Sequence, residues 1–133
     1  MGFNWAEYLS IAEGVCGMPV SGPSAGAEAQ QRAAVSRAYY AAFVSSRNRL
    51  RDLDGIMIPP NRNPHQFVAS QYQTHPDPGW SQIGVELHRL RLDRNRCDYE
   101  DVVDNLPRMT QRSLDGAARV LAALGQLPRR SDG

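Results

Sequence analysis

The sequence predicts an all-α protein, an antiparallel bundle of four to five helices, and three observations lead to that fold class. Several segments place apolar residues three and four positions apart, which is the repeat of one helix face. Strict alternation of apolar and polar residues, which is typical of a half-buried strand, does not occur. Glycine and proline cluster between the periodic segments, so the connections are short and neighbouring helices pack antiparallel.

The composition indicates one globular domain, which we place at residues 1–125, followed by a flexible C-terminal tail at residues 126–133. Of the 133 residues, 41% are hydrophobic and 22% are charged, which is ordinary globular usage. The net charge of +1 excludes binding to nucleic acid or membranes through bulk charge, so such a contact must come from a local patch. All fifteen basic residues are arginine. Two explanations are open: a GC-rich genome, or the use of planar guanidinium groups for phosphate recognition.

The cysteines and the N-terminus indicate in which cellular compartment the protein is expected. Cys16 and Cys97 lie far apart and outside any metal-binding spacing, a pattern that fits a reducing compartment. The N-terminus lacks the regions of a signal peptide, and no apolar run is long enough to span a membrane. We therefore expect a cytoplasmic protein that has no metal, no cofactor and no membrane contact.

The first two predicted helices differ in how apolar they are. Residues 5–15 place apolar side chains at helical spacing, and the glycines and prolines of residues 16–26 predict a loop. Residues 27–53 contain neither glycine nor proline, and in residues 33–44 only two positions fall outside the apolar class. A helix that is apolar on nearly every side is buried on several sides, so we expect it at the centre of the bundle, with a subunit contact as a further role.

A short third helix should follow a loop at residues 55–62. Asn63-Pro64-His65-Gln66 has the pattern of an N-cap asparagine, a proline at the first helical position and a capping-box glutamine. The residues of this helix that should face inward are Phe67, Val68 and Tyr72. The prolines and the glycine of residues 76–79 should end it.

The fourth helix, from about residue 79 to residue 104, combines apolar residues and an arginine on one face. The residues that repeat at four and three positions are Ile83, Leu87, Leu90, Arg94 and Cys97. Burying a guanidinium is costly unless it is paired, so Arg94 should have a carboxylate partner or face an open groove. Asp98, one helical turn on, and a partner chain are the two candidates for that carboxylate.

The last helix should begin near residues 105–107 and run to about residue 124. Its inward face is predicted to consist of Met109, Ser113, Ala117, Val120, Leu121 and Leu124.

Two segments, on the second and fourth helices, match segments of one known protein family. Residues 36–43, Ser-Arg-Ala-Tyr-Tyr-Ala-Ala-Phe, resemble its SRAYYAAF signature, and residues 90–99 resemble its late arginine-plus-DY segment. His65, between the two, occupies a position where many of those proteins also have histidine. On these segments the chain resembles the bacterial branch of the HEPN superfamily (higher eukaryotes and prokaryotes nucleotide-binding), over roughly residues 5–124.

The resemblance implies a bundle of four or five helices, commonly a homodimer whose motif arginines meet near the interface. Catalytic members are metal-independent endoribonucleases, often in toxin–antitoxin or antiviral systems, and their motif is an arginine, usually a polar residue, and a histidine a few positions later. Here Arg94 and Asn95 match, and Tyr99 stands in the histidine position. Tyrosine, with a pKa near ~10, is a poor base at neutral pH, so Arg94 and Tyr99 suit phosphate binding better than cleavage.

Candidate site residues fall into two groups. The catalytic candidates are Arg94, Asn95 and Tyr99, with His65 as an alternative source of the imidazole if its helix packs beside Arg94. The candidates for contact with RNA phosphates are the arginines of the densest basic cluster: Arg89, Arg91, Arg94 and Arg96.

Each candidate also has a purely structural interpretation. Arg94 would then form a buried salt bridge, and Asn95 and Tyr99, which share a helix face, would hydrogen-bond to neighbouring helices. His65 would be an ordinary polar residue at a helix start. Of the other histidines, His75 is expected to be exposed in a turn, and His88 to lie on the opposite side of its helix from Arg94.

Two functions remain open, and a nucleotide-binding role, which no glycine-rich phosphate loop supports, comes third. The first is an RNA-directed HEPN-type protein of a bacterial toxin–antitoxin or defence system, with weak metal-independent endoribonuclease activity and a nucleotidyltransferase or antitoxin protein as partner. The second is a catalytically inactive HEPN dimer that acts as an interaction or scaffold module. The basic residues at 89–96 and the acidic residues at 98–104 suit either reciprocal pairing across the two-fold axis of a homodimer or a solvated face.

Overall fold

The computed structural model describes residues 24–128 and, nearer the N-terminus, residues 4, 5, 7, 9, 10, 12 and 13. Residues 24–128 form four helices, which we name α1 (Ser24–Asp54), α2 (Pro64–Gln73), α3 (Pro78–Tyr99) and α4 (Leu106–Gln126). No strand occurs among the described residues, and the helices pack on one another, which confirms the all-α bundle. None of the helices in these ranges is long and apolar enough to cross a lipid bilayer.

The N-terminal prediction is covered only in part. Of the predicted helix at residues 5–15, residues 7, 9, 10, 12 and 13 are helical, and Leu9 and Ala12 are buried in the core. Most of the predicted loop, including Cys16, lies outside the described residues. Its last three positions do not belong to a loop, since α1 already begins at Ser24.

Helix α1 is the centre of the bundle, as its composition predicts, and packs against all three other helices. Its buried apolar residues are Ala34, Val35, Ala38, Tyr39, Ala41, Ala42, Phe43, Val44 and Leu50. Because α2, α3 and α4 together surround these residues, the high apolar content of α1 is explained within one protomer. It no longer argues for a subunit contact.

Helices α2 and α3 begin with the same local device. Asn63 Oδ1 accepts a hydrogen bond from the backbone N–H of Gln66 (3.1 Å), and Asp77 Oδ1 accepts one from the N–H of Gly79 (2.7 Å). A proline follows each cap, where its missing N–H costs nothing. The predicted cap at Asn63 is confirmed. Pro78 does not merely stop α2, because it also opens α3.

Two arginines of α1 hold the C-terminal ends of the helices packed against it. The guanidinium of Arg32 donates to the carbonyl oxygens of Cys97 (2.9 Å), Glu100 (2.7 Å) and Asp101 (3.0 Å). This contact satisfies carbonyls that the last turn of α3 leaves free, and α3 ends at Tyr99, five residues earlier than predicted.

Arg49 does the same for α4. It donates to the carbonyl oxygens of Leu124 (3.2 Å), Leu127 (3.4 Å) and Pro128 (2.6 Å). Helix α4 therefore continues to Gln126, and residues 126–128, which we predicted to belong to the tail, are bound to the bundle. Residues 129–133 lie outside the described range.

Helix α3 is joined to α4 by two ion pairs and to α2 by a close backbone approach. The buried carboxylates of Glu86 and Asp93, seven residues apart, pair with Arg119 (2.9 Å) and Arg112 (2.7 Å) of α4. On the other side, a Cβ added at Gly84 would lie 2.4 Å from the backbone nitrogen of Gln73 in α2. These contacts fix which face of α3 remains open for a functional site.

Candidate functional site

Arg94, the central residue of the predicted motif, lies on α3 against α1. Its Nη2 donates to the hydroxyl of Tyr40 (2.8 Å), and its Nη1 donates to Oδ1 of Asn95 (3.0 Å). The guanidinium carbon also lies 5.1 Å from the centre of the Tyr40 ring, a cation–π distance. Tyr40 is half-buried, and its hydroxyl and ring together position the motif arginine.

Asp98 provides the predicted carboxylate for Arg94. Its Oδ2 lies 2.9 Å from Arg94 Nε, although the N–H is not aimed at it, so the contact is an ion pair without hydrogen-bond geometry. The Arg94 side chain is 15% exposed and that of Asp98 30%, so water weakens the pair only in part. Arg94 thus meets both conditions derived from the sequence, because it has a carboxylate partner and also reaches the surface.

The remaining three arginines of the basic cluster differ in how far their charges are compensated. Arg89 pairs with Glu86, and Arg96 pairs with Glu100 at 3.4 Å. Arg91 forms no ion pair or hydrogen bond with any residue in the described ranges, and its Nε is buried. Two of the acidic residues that follow the cluster, Asp98 and Glu100, therefore pair with arginines of the same protomer.

An open depression of about 670 Å³ surrounds the motif, and we call it the Arg94 concavity. Its lining residues are Arg91, Leu92, Arg94, Asn95, Arg96, Tyr99 and Glu100. All of them lie on α3 or its C-cap, so within the described part of the chain the concavity is lined from one helix. Tyr99 is 74% exposed there and forms no hydrogen bond with the described residues of another helix, so its structural interpretation finds no support in them.

His65 lies at the start of α2 and packs against the aromatic residues of α1. Its Nδ1 is hydrogen-bonded to the hydroxyl of Tyr39 (2.5 Å), and its ring stacks on Phe43 with centroids 4.4 Å apart. Arg94 lies 5.8 Å from the centre of the same Tyr39 ring. The two catalytic candidates from different helices thus meet at one tyrosine.

The electrostatic surroundings keep this histidine neutral. Burial lowers the pKa of His65, and the positive charges of Arg91 and Arg94 lower it further. Burial raises the pKa of Tyr39, although the same two arginines act in the opposite direction. A protonated phenol is a stronger donor than a neutral imidazole N–H, and imidazole nitrogen is the better acceptor, so Tyr39 donates to Nδ1. The imidazole proton of His65 then lies on Nε2.

His88 lines the same groove as His65. We did not predict this from the sequence, because we considered the position of His88 only relative to Arg94. A groove of about 240 Å³ between α2 and α3, which we call the histidine groove, is lined by Arg62, His65, Gln66, Ala69, Ser70, Gln73, Leu87, His88 and Arg91. His88 precedes Arg91 by three residues, which places the two on one helix face, and that spacing would have been the signal. Arg91 lines both the histidine groove and the Arg94 concavity, so the two depressions adjoin at this side chain.

Two other titratable residues are occupied elsewhere. His75, predicted to be merely exposed, stacks on Trp80 at 4.5 Å, and its Nδ1 accepts a hydrogen bond from the N–H of Asp77 (3.0 Å). Burial raises the pKa of the Cys97 thiol to about 11, which leaves it protonated and unreactive at neutral pH. Within the part of the chain that the structure describes, no cluster of histidine, cysteine and acidic side chains could hold a metal ion.

Comparisons of the chain with protein-family models, with curated proteins and with solved structures found no match in any of the three.

Proposed function

We propose that the protein is an RNA-directed, HEPN-like dimer that binds RNA phosphates around Arg91 and Arg94 and cleaves RNA weakly without a metal ion. The observation that carries this proposal is the placement of Arg94. Tyr40 holds its guanidinium in one orientation at the edge of an open concavity. Arg91, one helical turn away, adds a charge that no acidic side chain of the described ranges compensates. A preoriented arginine beside an unpaired one is suited to a phosphodiester backbone.

The weak activity follows from the groups available for proton transfer. Tyr99 occupies the position of the motif histidine but is a poor base at neutral pH. His65, the imidazole nearest to the motif, is neutral and carries its proton on Nε2, so it can donate a hydrogen bond but cannot accept a proton there. General acid–base catalysis is typically worth about 10² to 10⁴ in rate, and this site has lost most of it.

The shape of the concavity supports the dimer. A depression that the described residues line from one helix leaves room for a second surface, and a two-fold axis through α3 would supply that surface from a second copy. Val85, Leu92 and Tyr99, which are spaced seven residues apart on α3, are exposed apolar side chains that such a contact would cover. Two Arg94 side chains would then face one another across the closed site.

The cellular role rests on the family resemblance alone. It suggests a bacterial toxin–antitoxin or defence system, a cytoplasmic location, and a nucleotidyltransferase or antitoxin as partner protein. The SRAYYAAF segment lies on α1 and provides Tyr40, the partner of Arg94, so the two matched segments are in contact. That contact supports the assignment, since unrelated chance matches need not lie side by side.

A second candidate function is a dimeric scaffold that cleaves nothing. The ion pairs of the basic cluster favour the scaffold, because Arg89, Arg94 and Arg96 all have carboxylate partners within the protomer. An arginine already paired contributes less to phosphate binding than a free one.

The two candidates are separated by RNA binding and cleavage in the presence of a chelator. We expect the wild type to bind single-stranded RNA weakly and cut it slowly, and Arg94→Ala to lose both. Tyr99→His restores an imidazole at the motif position and should raise cleavage by at least about tenfold. Arg108→Gln, an exposed arginine of α4 outside the concavity, is the matched control and should behave as wild type.

Two results would overturn the first candidate. Cleavage that persists undiminished in Arg94→Ala would place the active site elsewhere, with His65 as the first residue to replace. Absence of RNA binding by every variant would favour the scaffold.

A further inference from the structure

The histidine groove between α2 and α3 has an unusual set of side chains. Arg62, His65, His88 and Arg91 all line it, and none of its lining residues is aspartate or glutamate. The remaining polar groups are the amides of Gln66 and Gln73 and the hydroxyl of Ser70. In a chain with a net charge of only +1, four basic or imidazole groups without an acid mark a local concentration of hydrogen-bond donors.

Arg91 is the least compensated charge in this groove. Its Nε is buried and has no hydrogen-bond partner among the described residues, whereas the neighbouring Arg89, Arg94 and Arg96 all have carboxylates. Arg91 as a whole is only half-buried, but a donor such as its Nε that has lost contact with water and has no acceptor is unfavourable. An anion in the groove would remove that penalty, since it supplies both the charge and the acceptor.

The hydrogen bond of Tyr39 determines what His65 can offer to a ligand. Because Nδ1 accepts from the phenol, the free nitrogen Nε2 carries the proton and acts as a donor. Stacking on Phe43 fixes the plane of the ring. His65 is thereby prepared to hold an oxyanion and not to accept a proton from one.

On the side of the groove at the start of α2, Arg62 adds a second guanidinium. Its charged group lies 5.5 Å from the centre of the Phe67 ring, and it has no acidic partner among the described residues. An aromatic ring attracts a cation without neutralising it, so the charge remains available to an anion.

We infer that the histidine groove binds a phosphate group, held by Arg91 and Arg62 with hydrogen bonds from His65 and His88. The volume of about 240 Å³ accommodates a phosphate with part of the group that it is attached to, but is small for a larger ligand. The inference rests on the proposed function only for the source of the phosphate. That source is either the backbone of RNA or a free phosphate monoester such as a mononucleotide.

Arg91 connects this groove with the motif. It lines both depressions, and it lies one helical turn from Arg94, so the two side chains begin about 5–6 Å apart. A single strand bound at Arg94 could thus place a neighbouring phosphate in the groove. In that arrangement Arg94 and the groove hold successive parts of one ligand.

The three histidines of the chain give a direct test by nuclear magnetic resonance. The ring C–H signals of His65 and His88 report on the groove, and His75, which stacks on Trp80, is an internal reference. Inorganic phosphate, adenosine monophosphate and a short single-stranded RNA are titrated separately. We expect the signals of His65 and His88 to shift while the signal of His75 stays constant.

Replacing Arg91 tests the assignment. Arg91→Gln should weaken the binding of the effective ligand about ten- to a hundredfold, since one charged hydrogen-bond partner is lost, whereas Arg108→Gln should leave it unchanged. Because Arg91 has no partner in the described protein, the fold should tolerate the change. His88→Asn, at an exposed position, is a second variant if Arg91→Gln does not fold.

The ligands distinguish the source of the phosphate. Shifts with inorganic phosphate or the mononucleotide identify a site for free phosphate groups, and shifts with RNA alone identify a backbone contact. Absence of a shift at His65 and His88 with all three ligands would overturn the inference, as would equal affinity in Arg91→Gln. If RNA binds the wild type but shifts the signal of neither histidine, the phosphate site in the groove is wrong and the proposed function stands. If phosphate shifts both signals but the protein does not bind RNA, the phosphate site stands and the proposed function is wrong.

Discussion

Asp54 keeps its carboxylate out of solvent, with 0% side-chain exposure, at the C-terminal end of α1. A negative charge at this end of a helix is unfavourable, because the helix dipole is also negative there. Arg49 Nε is 3.9 Å from Asp54 Oδ2, beyond hydrogen-bond distance, and neither carboxylate oxygen accepts a hydrogen bond from the described residues. The charge of Arg49 therefore offsets the burial of Asp54 while its Nη atoms hold the end of α4.

We predict that Arg49→Met lowers the free energy of unfolding by about 3–5 kcal/mol, because it leaves a buried carboxylate without a counter-charge. The double variant Arg49→Met with Asp54→Asn should lose less than Arg49→Met alone, since no unpaired charge remains. Urea unfolding followed by circular dichroism measures both. Equal losses in the two proteins would show that only the contacts of Arg49 with the α4 carbonyls matter.

At the scale of the helices, the position of α3 depends on ion pairs with α4 on one side and on a close backbone contact with α2 on the other. Glu86 and Asp93 bind arginines of α4 on one side, and Gly84 touches the backbone of α2 on the other. The Gly84 contact brings α3 close enough to α2 for His88 and Arg91 to share a groove with His65. A glycine that looks like a weak point in a helix is thus a requirement of the packing.

We predict that Gly84→Ala lowers the free energy of unfolding by about 1–3 kcal/mol, although alanine is the better helix former. The added Cβ would lie 2.4 Å from the nitrogen of Gln73 and 2.7 Å from the carbonyl oxygen of Ala69, so α2 must move away. Gly125→Ala in α4 is the matched control, because nothing lies within 4 Å of its added Cβ.

Thermal unfolding compares the two substitutions. Gly125→Ala should raise the melting temperature slightly through its helix propensity, and Gly84→Ala should lower it. A Gly84→Ala protein at least as stable as wild type would mean that α2 and α3 can separate without loss.

At the scale of the whole molecule, α1 organises the bundle through its two ends as well as its core. Arg32 and Arg49 lie seventeen positions apart on α1 and hold the C-terminal carbonyls of α3 and α4 respectively. With these ends and the buried faces fixed, the outer face of α3 still exposes Val85, Leu92 and Tyr99. This face is the surface on which the proposed dimer depends.

We predict that the protein is a dimer in solution, and that Leu92→Glu converts it to a monomer by placing a charge in the middle of the contact. Leu92 is 50% exposed in the protomer, so its replacement should leave the fold intact. Met57→Glu, at a residue 69% exposed in the loop after α1, is the control and should remain dimeric. Light scattering at micromolar concentration gives the mass. A monomeric wild type would remove the argument for paired Arg94 side chains.

Much of the fold could be predicted because the features that specify it are local. The apolar repeat of Ile83, Leu87 and Leu90 identifies one buried helix face, and the Asn63 cap acts on an N–H three residues away. Asp98 could be named as one of the two candidate partners of Arg94 for the same reason, since both lie on one helix, one turn apart. Such contacts need no knowledge of how the helices are arranged.

The parts of the site that join different helices could not be predicted. Which arginine keeps a carboxylate depends on packing: Glu86 faces α4 and binds Arg119 as well as Arg89, whereas Arg91 turns to a groove without acids. The hydrogen bond that Arg94 donates to Tyr40 and the one between Tyr39 and His65 join residues 54 and 26 positions apart.

The sequence by itself determined the helical class and the inward faces of the helices, and it named Asp98 as one of two candidate partners of Arg94. Each of these depends on intervals of three or four residues along one chain segment. Only the tertiary structure decided that α3 ends at Tyr99, where Arg32 binds its last carbonyls, and that His65 and His88 share a groove. It also decided that Arg91 has no carboxylate partner among the described residues. The physical reason is that burial and charge compensation are set by whichever groups the fold brings within a few ångströms, and residues distant in sequence supply most of them here.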